Sequence, residues 1–216
     1  MIQTEDDIRV ACRAGVDKFS PAWWQNGEAR VSSQWGYLIE ENAGVLLPSM
    51  VARRIWLETR GAPGAVSKIG EVGLLQLSKA TRDQYGLSVK QAMDPAINLR
   101  YGCRLWRAWA RSFAADTGAP WPPRGLDGWM ESWLVTAIGP GAMRAIAEID
   151  EKDLVKLCME QPRKILDRHN FFGSQKPSLV AYRIGIADTA LRTLGNATGI
   201  HPVAALGIGL AVLALT

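Results

Sequence analysis

One glutamate is placed on a helix face that is otherwise apolar. A helix is predicted over residues 48–59, and in it Val51, Ile55 and Glu58 recur at spacings of four and three. These three residues therefore share one face. Burial and the negative end of the helix dipole both disfavour an ionised carboxylate there. A carboxyl that keeps its proton near neutral pH can act as a general acid. The alternative is that Glu58 is solvated or paired with Arg54.

The segment that follows Glu58 is rich in glycine and ends in an amide. Residues 61–77 read GAPGAVSKIGEVGLLQL, with Gly70 and Gly73 three apart. Glycines at such spacing indicate turns in which the backbone approaches another surface closely. The amide of Gln76 can orient a polyol or amide ligand. This segment is therefore predicted to border the site.

The elements that must position these residues are predicted to be helices. Helical periodicity dominates and strand alternation is nearly absent, so the fold class is mainly α, a bundle of short helices with little or no sheet. The predicted helices are 48–59, Ser78 to Gly86, one starting at Asp94-Pro95, one capped by Asp127 and broken at Gly139-Pro140-Gly141, 151–160 and 177–194. The proline-rich loop 118–128 is predicted not to be helical throughout.

The composition excludes several classes of protein. The 216 residues are 48% hydrophobic and 21% charged, with a net charge of +4. This is ordinary for a folded protein, excludes a disordered chain, and does not imply nucleic-acid recognition. The three cysteines are far apart and there are two histidines, so neither a disulfide scaffold nor a structural zinc or His-rich metal site is expected. The nine tryptophans are an unusually large number. Tryptophan fills protein cores and also stacks on sugars.

The two ends of the chain differ from its middle. We expect three parts: a polar, Trp-containing extension over 1–45 punctuated by glycines, a central domain over 46–196, and an apolar tail over 197–216. The start is acidic where an export leader needs basic residues, so no leader is expected. The uncharged run 202–215 is shorter than the roughly 20 residues of a membrane-spanning helix. It is either a buried helix, a membrane contact, or a contact with other subunits, including copies of this chain.

Three short motifs resemble the Slt-type lytic transglycosylases, which have a goose-lysozyme-like fold. The family pattern has a catalytic Glu followed by Ser, then Pro, Ser and a G-x-x-G-L-M-Q stretch at fixed offsets. The matching residues are Glu58-Thr59, Pro63, Ser67 and Gly70 to Gln76; Asp94, Pro95, Asn98 and Gly102 for D-P-x-x-N-x-x-x-G; and Val135 to Gly141 for A-Y-N-A-G-P-G. Thr136-Ala137 replaces the Tyr-Asn pair of the third motif. The resemblance covers about residues 46–190.

The resemblance implies a lysozyme-like bundle and a peptidoglycan lytic transglycosylase. It implies that Glu58 cleaves the MurNAc-GlcNAc β-1,4 bond with a 1,6-anhydro product, using no water, metal or cofactor. The substrate-binding residues it implies are Ser67, Leu75, Gln76, Thr136 and Tyr182. Of the tryptophans, Trp121 in the proline-rich loop is the best candidate for stacking on a sugar, with core packing as the alternative.

The expected setting is a phage particle that opens the host wall locally during genome entry, acting in the host periplasm or cell envelope. The alternative location is the bacterial cell envelope. Two other functions compete with the transglycosylase. One is a goose-type lysozyme that cleaves the same bond with water, and the other is a catalytically silent, structural or channel-forming virion protein. The loss of the Tyr-Asn pair favours the silent protein, and the intact stretch from Glu58 to Gln76 favours an enzyme.

Overall fold

Helices account for most of the backbone. The computed structural model describes residues 3–147, 153–172 and 175–198. The helices in these ranges are α1 Glu5–Asp17, α2 Pro21–Ala43, α3 Pro48–Thr59, α4 Lys79–Tyr85, α5 Val89–Ala92, α6 Pro95–Thr117, α7 Gly125–Ile138, α8 Pro140–Ala147, α9 Leu154–Glu160, α10 Pro162–Phe172 and α11 Pro177–Thr198. No β-strand occurs within those ranges, and pairing is limited to the isolated bridges Val66–Val72 and Val72–Leu77. The mainly α fold class is confirmed.

The helix boundaries follow local chemistry. Ser78 caps α4 by accepting from the Thr81 amide, and Gly86 ends that helix in the left-handed region, at a φ of 64°. The predicted start at Asp94-Pro95 is also confirmed, since Asp94 Oδ1 accepts from the Ile97 amide. The prediction that Asp127 caps the next helix is wrong. Arg124 is the N-cap of α7, so Asp127 lies in the first turn.

The chain forms two compact units, residues 22–108 and residues 1–21 with 109–216. In the first unit, α2 and α3 are joined by an ion pair of 2.7 Å between Glu28 Oε2 and Arg53 Nε. Arg53 is fully buried, and burial lowers the pKa of its guanidinium. This pair holds α3 against α2.

Glycines do not interrupt α2. Gly27 lies inside this helix, and a Cβ at its position would overlap the ring of Trp56 on α3. The expectation that glycines punctuate residues 1–45 is therefore wrong for Gly27 and Gly36, which are both helical. The sequence alone does not distinguish a glycine that makes room for a neighbouring side chain from a glycine that ends a helix. The three-part division of the chain stays a prediction.

In the second unit, α1 packs along α11 at very short range. Gly15 on α1 and Gly185 on α11 face the backbone of the opposite helix, and a Cβ at either position would clash with it. Small residues are needed at such a crossing. None of the described helices is long and apolar enough to cross a membrane. The apolar run 202–215 lies outside the described residues.

Candidate active site

Helix α3 carries Glu58 one residue before its end. The helix stops because Arg60 and Gly61 both take positive φ angles, of 56° and 84°. The guanidinium of Arg60 folds back and donates hydrogen bonds to the carbonyls of Trp56 and Leu57. Carbonyls in the last turn of a helix have no partner within it. Arg60 therefore closes the helix beside Glu58 and places a positive charge there.

The carboxylate of Glu58 is ion-paired. Arg54 Nε lies 2.8 Å from Glu58 Oε1, and the two side chains are 12% and 28% exposed, respectively. Burial lowers the pKa of the Arg60 guanidinium, and the negative charge of Glu58 acts in the opposite direction. The prediction that Glu58 is shielded on an apolar face is thus wrong. Residues four apart on a helix meet, so Arg54 reaches the carboxylate.

Thr59 connects the end of α3 to the glycine-rich segment. Its hydroxyl is shared between the carbonyls of Ile55 and Leu74, at 3.1 Å and 3.4 Å. The Leu74 carbonyl belongs to the stretch that the bridges from Val72 to Val66 and Leu77 organise. Because Thr59 directly follows Glu58, the backbone at Glu58 is fixed relative to that stretch.

Ser67 is engaged with Glu71. Its hydroxyl donates to Glu71 Oε2 at 3.3 Å and accepts from the Glu71 amide at 3.1 Å. A backbone hydrogen bond of 2.9 Å from Ser67 N to Glu71 O closes the same turn. The sequence did not lead us to expect Glu71 as the partner of Ser67. The spacing of four residues across a glycine turn is the signal that could have revealed it.

Gln76 holds its own turn. Its side-chain amide donates to the carbonyls of Gly73 and Ala65, at 2.8 Å and 3.4 Å. Its backbone has a φ of 51°, which is unusual for a residue other than glycine. The –NH₂ group of Gln76 has two hydrogens, and both are used within the segment. The remaining capacity of this side chain for a ligand lies at its carbonyl oxygen.

Asn98 on α6 anchors the glycine-rich segment from below. It is fully buried; its amide donates to Val72 O at 3.0 Å and to Ala92 O at 2.7 Å, and its Oδ1 accepts from the Leu75 amide at 2.8 Å. Gly73, at a φ of 79°, leaves the space that the Asn98 amide occupies. The D-P-x-x-N motif therefore has a structural function here.

Leu75 packs on the helix behind it. A Cβ at Gly102 would lie 2.6 Å from Leu75 Cδ1, so the glycine of the second motif makes room for this side chain. Leu75 is only half-buried, which leaves part of it accessible. The four residues Glu58, Ser67, Leu75 and Gln76 thus lie within one unit and on connected backbone.

Thr136 and Tyr182 belong to the other unit. Thr136 is near the end of α7, and its hydroxyl donates to the Trp133 carbonyl at 2.8 Å. Tyr182 lies on α11, with the ammonium of Lys18 5.2 Å from the centre of its ring. Both side chains are half-buried. Their assignment to the substrate stays a prediction.

Residues 39–119 match the family described as "Transglycosylase SLT domain". The match contains Glu58, Ser67, Leu75 and Gln76 and ends before Thr136. It supports a lytic transglycosylase-type domain that acts on peptidoglycan. A comparison with curated protein sequences found no match. Across the described residues, no group of three or more His, Cys, Asp or Glu side chains could hold a metal ion.

Proposed function

We propose that the chain is a peptidoglycan lytic transglycosylase that uses Glu58 as its one catalytic acid and base. The observation that carries the proposal is the family match over 39–119 together with the geometry around Glu58. The carboxylate ends α3, and Thr59 ties that end to the segment that bears Ser67 and Gln76. A glycan strand bound along this segment would present a glycosidic oxygen to Glu58.

In the proposed reaction, Glu58 first donates a proton and later recovers one. Protonated Glu58 gives its proton to the oxygen between N-acetylmuramic acid and N-acetylglucosamine, and the bond from that oxygen to C1 breaks. The N-acetyl group of the muramic acid stabilises the positive charge at C1. The ionised Glu58 then takes the proton of the C6 hydroxyl, and O6 bonds to C1 to give the 1,6-anhydro ring. No water is consumed, and one carboxyl suffices where hydrolytic glycosidases use two.

The resting geometry adds one requirement to this cycle. Glu58 Oε1 is paired with Arg54 Nε at 2.8 Å, so this oxygen is occupied while the pair is closed. Transfer of a proton through it to the substrate therefore requires the pair to open. The ion pair then orients the carboxylate before the substrate arrives.

Product analysis tests the proposal directly. Purified sacculi are digested with the wild-type protein and with Glu58→Gln, and the released muropeptides are weighed by mass spectrometry. We expect wild type to release 1,6-anhydro products, lighter by one water than lysozyme products, and Glu58→Gln to release none. Glu41→Gln is the matched control, because Glu41 is an exposed glutamate on α2. Anhydro products from Glu58→Gln would contradict the role of Glu58.

The same digestion in oxygen-18 water separates the goose-type lysozyme. A hydrolase incorporates the label at the new reducing end, whereas an intramolecular ring closure does not. Label in the wild-type product would therefore mean that the protein is a hydrolase, with Glu58 still as its acid, and not a lyase.

The silent structural protein is the second candidate function. Thr136-Ala137 in place of the family's Tyr-Asn pair favours it, and so does the Arg54–Glu58 ion pair. It predicts no muropeptide release by wild type at any pH. Release that is lost in Glu58→Gln and kept in Glu41→Gln would exclude it.

We propose a phage particle as the setting, with the host envelope as the place of action. Its support is a peptidoglycan-type domain on the same chain as the apolar run 202–215, which would contact a membrane or neighbouring subunits. Particles that carry Glu58→Gln should enter hosts with intact walls more slowly than wild-type particles. Absence of the chain from purified particles would favour a bacterial envelope protein instead.

A further inference from the structure

A cavity of about 750 Å³ lies at the junction of α6 and α7, within the unit formed by residues 1–21 and 109–216. Its volume is within the range of small-ligand sites, about 300–1,000 Å³. One wall is made of rings and apolar side chains. These are Phe113, Pro120, Trp121, Pro123 and Leu126. Phe113 and Pro123 are buried and Trp121 is half-buried, so the indole ring is fixed yet accessible.

The remaining charged side chains that line the cavity are mostly acidic. Asp127 and Glu131 are four residues apart on α7 and both line the cavity, as do Asp153 and Arg192. Asp153 caps α9 by accepting from the Lys156 amide at 2.9 Å, which fixes its carboxylate in place. Carboxylate oxygens accept hydrogen bonds from hydroxyl groups, and a guanidinium donates to carbonyl oxygens.

Buried charge beneath the cavity holds this wall in position. Asp188 is 4% exposed and accepts from Arg192 Nε at 2.6 Å. The pKa of Asp188 is raised, first by burial and further by the charges of Asp153 and Asp127, while Arg192 opposes the shift. Carboxylates of three different elements, Asp127, Asp153 and Asp188, are therefore close enough to interact, and Asp188 is paired with Arg192, which lines the cavity.

Within its own unit, the cavity lies toward the start of α7. Its lining residues on this helix fall between Gly125 and Ser132, whereas Thr136 and Gly139 follow at the end of the helix. Asp127 and Thr136 are nine residues apart, or about 14 Å along the helix axis. Most of the lining residues also lie beyond residue 119, where the family match ends.

We propose that this cavity is a second glycan-binding site, in which Trp121 stacks on the apolar face of a sugar ring. The carboxylates of Asp127 and Glu131 accept from its hydroxyls, and Arg192 donates to an acetamido carbonyl. A cavity lined by aromatic and apolar side chains together with a few polar groups suits a ring with one apolar face and a polar edge. The choice of a glycan rests on the proposed function, because peptidoglycan then surrounds the protein. Such a site would hold the protein on a strand while another part of the strand is cleaved.

The test uses the full chain carrying Glu58→Gln, so that no turnover occurs. Tryptophan indoles are labelled with nitrogen-15, and the Trp121 signal is assigned by its loss in Trp121→Phe. The titrants are chitotetraose and peptide-free glycan strands. We expect a saturable shift of the Trp121 signal, and a Kd at least fivefold weaker by the same signal in Asp127→Asn. Asp167→Asn is the matched control, because Asp167 is 58% exposed in the same unit and pairs with Arg163.

Each outcome decides the matter. An unmoved Trp121 signal at millimolar glycan, or equal affinities in Asp127→Asn and Asp167→Asn, would overturn the proposal. A shift with the amine-bearing stem peptide but not with glycan would overturn it too. Should Trp121→Phe not fold, glycan-dependent protection of residues 117–131 from hydrogen exchange in the Glu58→Gln chain replaces it. Because binding is read without turnover, this site can fail while the lyase stands, and the reverse.

Discussion

Arg54 Nε and Glu58 Oε1 are 2.8 Å apart on the last two turns of α3, and the arginine is the more buried of the two side chains. The backbone at Glu58 is also fixed, because the hydroxyl of the next residue, Thr59, donates to the Leu74 carbonyl. Arg60 adds a second positive charge on the same side. The proposed acid is therefore oriented by charge, whereas the sequence suggested that it is tuned by burial.

Removing Arg54 should leave the carboxylate of Glu58 harder to orient. We expect Arg54→Gln to be less active than wild type, because the carboxylate loses the partner that lies 2.8 Å from its Oε1. The maximal rate should fall several-fold, and Arg54→Lys should restore part of it. The initial rate of muropeptide release at saturating sacculi measures these differences.

The control for this series is Arg100→Gln, which removes an exposed arginine of α6. Its rate should match that of wild type. An Arg54→Gln rate equal to that of Arg100→Gln would mean that the ion pair does not orient Glu58.

The sequence predicted several helices better than it predicted the contacts around Glu58. Capping and proline signals placed α3, α4 and the start of α6, because these signals are local. The burial of Glu58 was wrong, since a helical spacing puts Glu58 next to both Ile55 and Arg54 and does not say which one it meets. The role of Asn98 also depends on contacts 23 and 26 residues away, which no local pattern contains.

Gly73 and Gly70 are required for different reasons. Gly70 is needed only for its backbone conformation, whereas Gly73 is needed for its backbone conformation and for the space that it leaves. Both have φ angles near 80°, but a Cβ at Gly73 would overlap Asn98, whereas a Cβ at Gly70 would meet open space. We expect Gly70→Ala to cost about 1–2 kcal/mol of stability from backbone strain alone. Gly73→Ala should cost clearly more and abolish muropeptide release, because Asn98 must move. Urea unfolding of both variants measures this, and equal losses would contradict it.

His169 should make the fold sensitive to mild acid. Its Nε2 is buried and has no hydrogen-bond partner within the described residues, and burial lowers the pKa of the imidazole. The unfolded chain therefore binds the proton more readily, so this stability is present above the unfolded pKa, near 6.5, and is lost as the pH falls. The free energy of unfolding should fall between pH 7 and pH 5, by up to about 1.4 kcal/mol per pH unit. The Tm should fall with it. In His169→Phe the drop should be smaller, and an identical drop would contradict the assignment.

Asp188 should act in the opposite direction. Burial raises the pKa of this carboxyl above its ordinary 3.8, so the stability it contributes is fully present below that value and is lost as the pH rises through the folded pKa. Asparagine cannot ionise, and Arg192, whose side chain is 50% exposed, stays hydrated without its partner. Asp188→Asn should therefore gain stability relative to wild type on going from pH 4 to pH 7. Urea unfolding at both values measures the difference, and a relative loss at pH 7 would mean that the ion pair with Arg192 outweighs the cost of burying the charge.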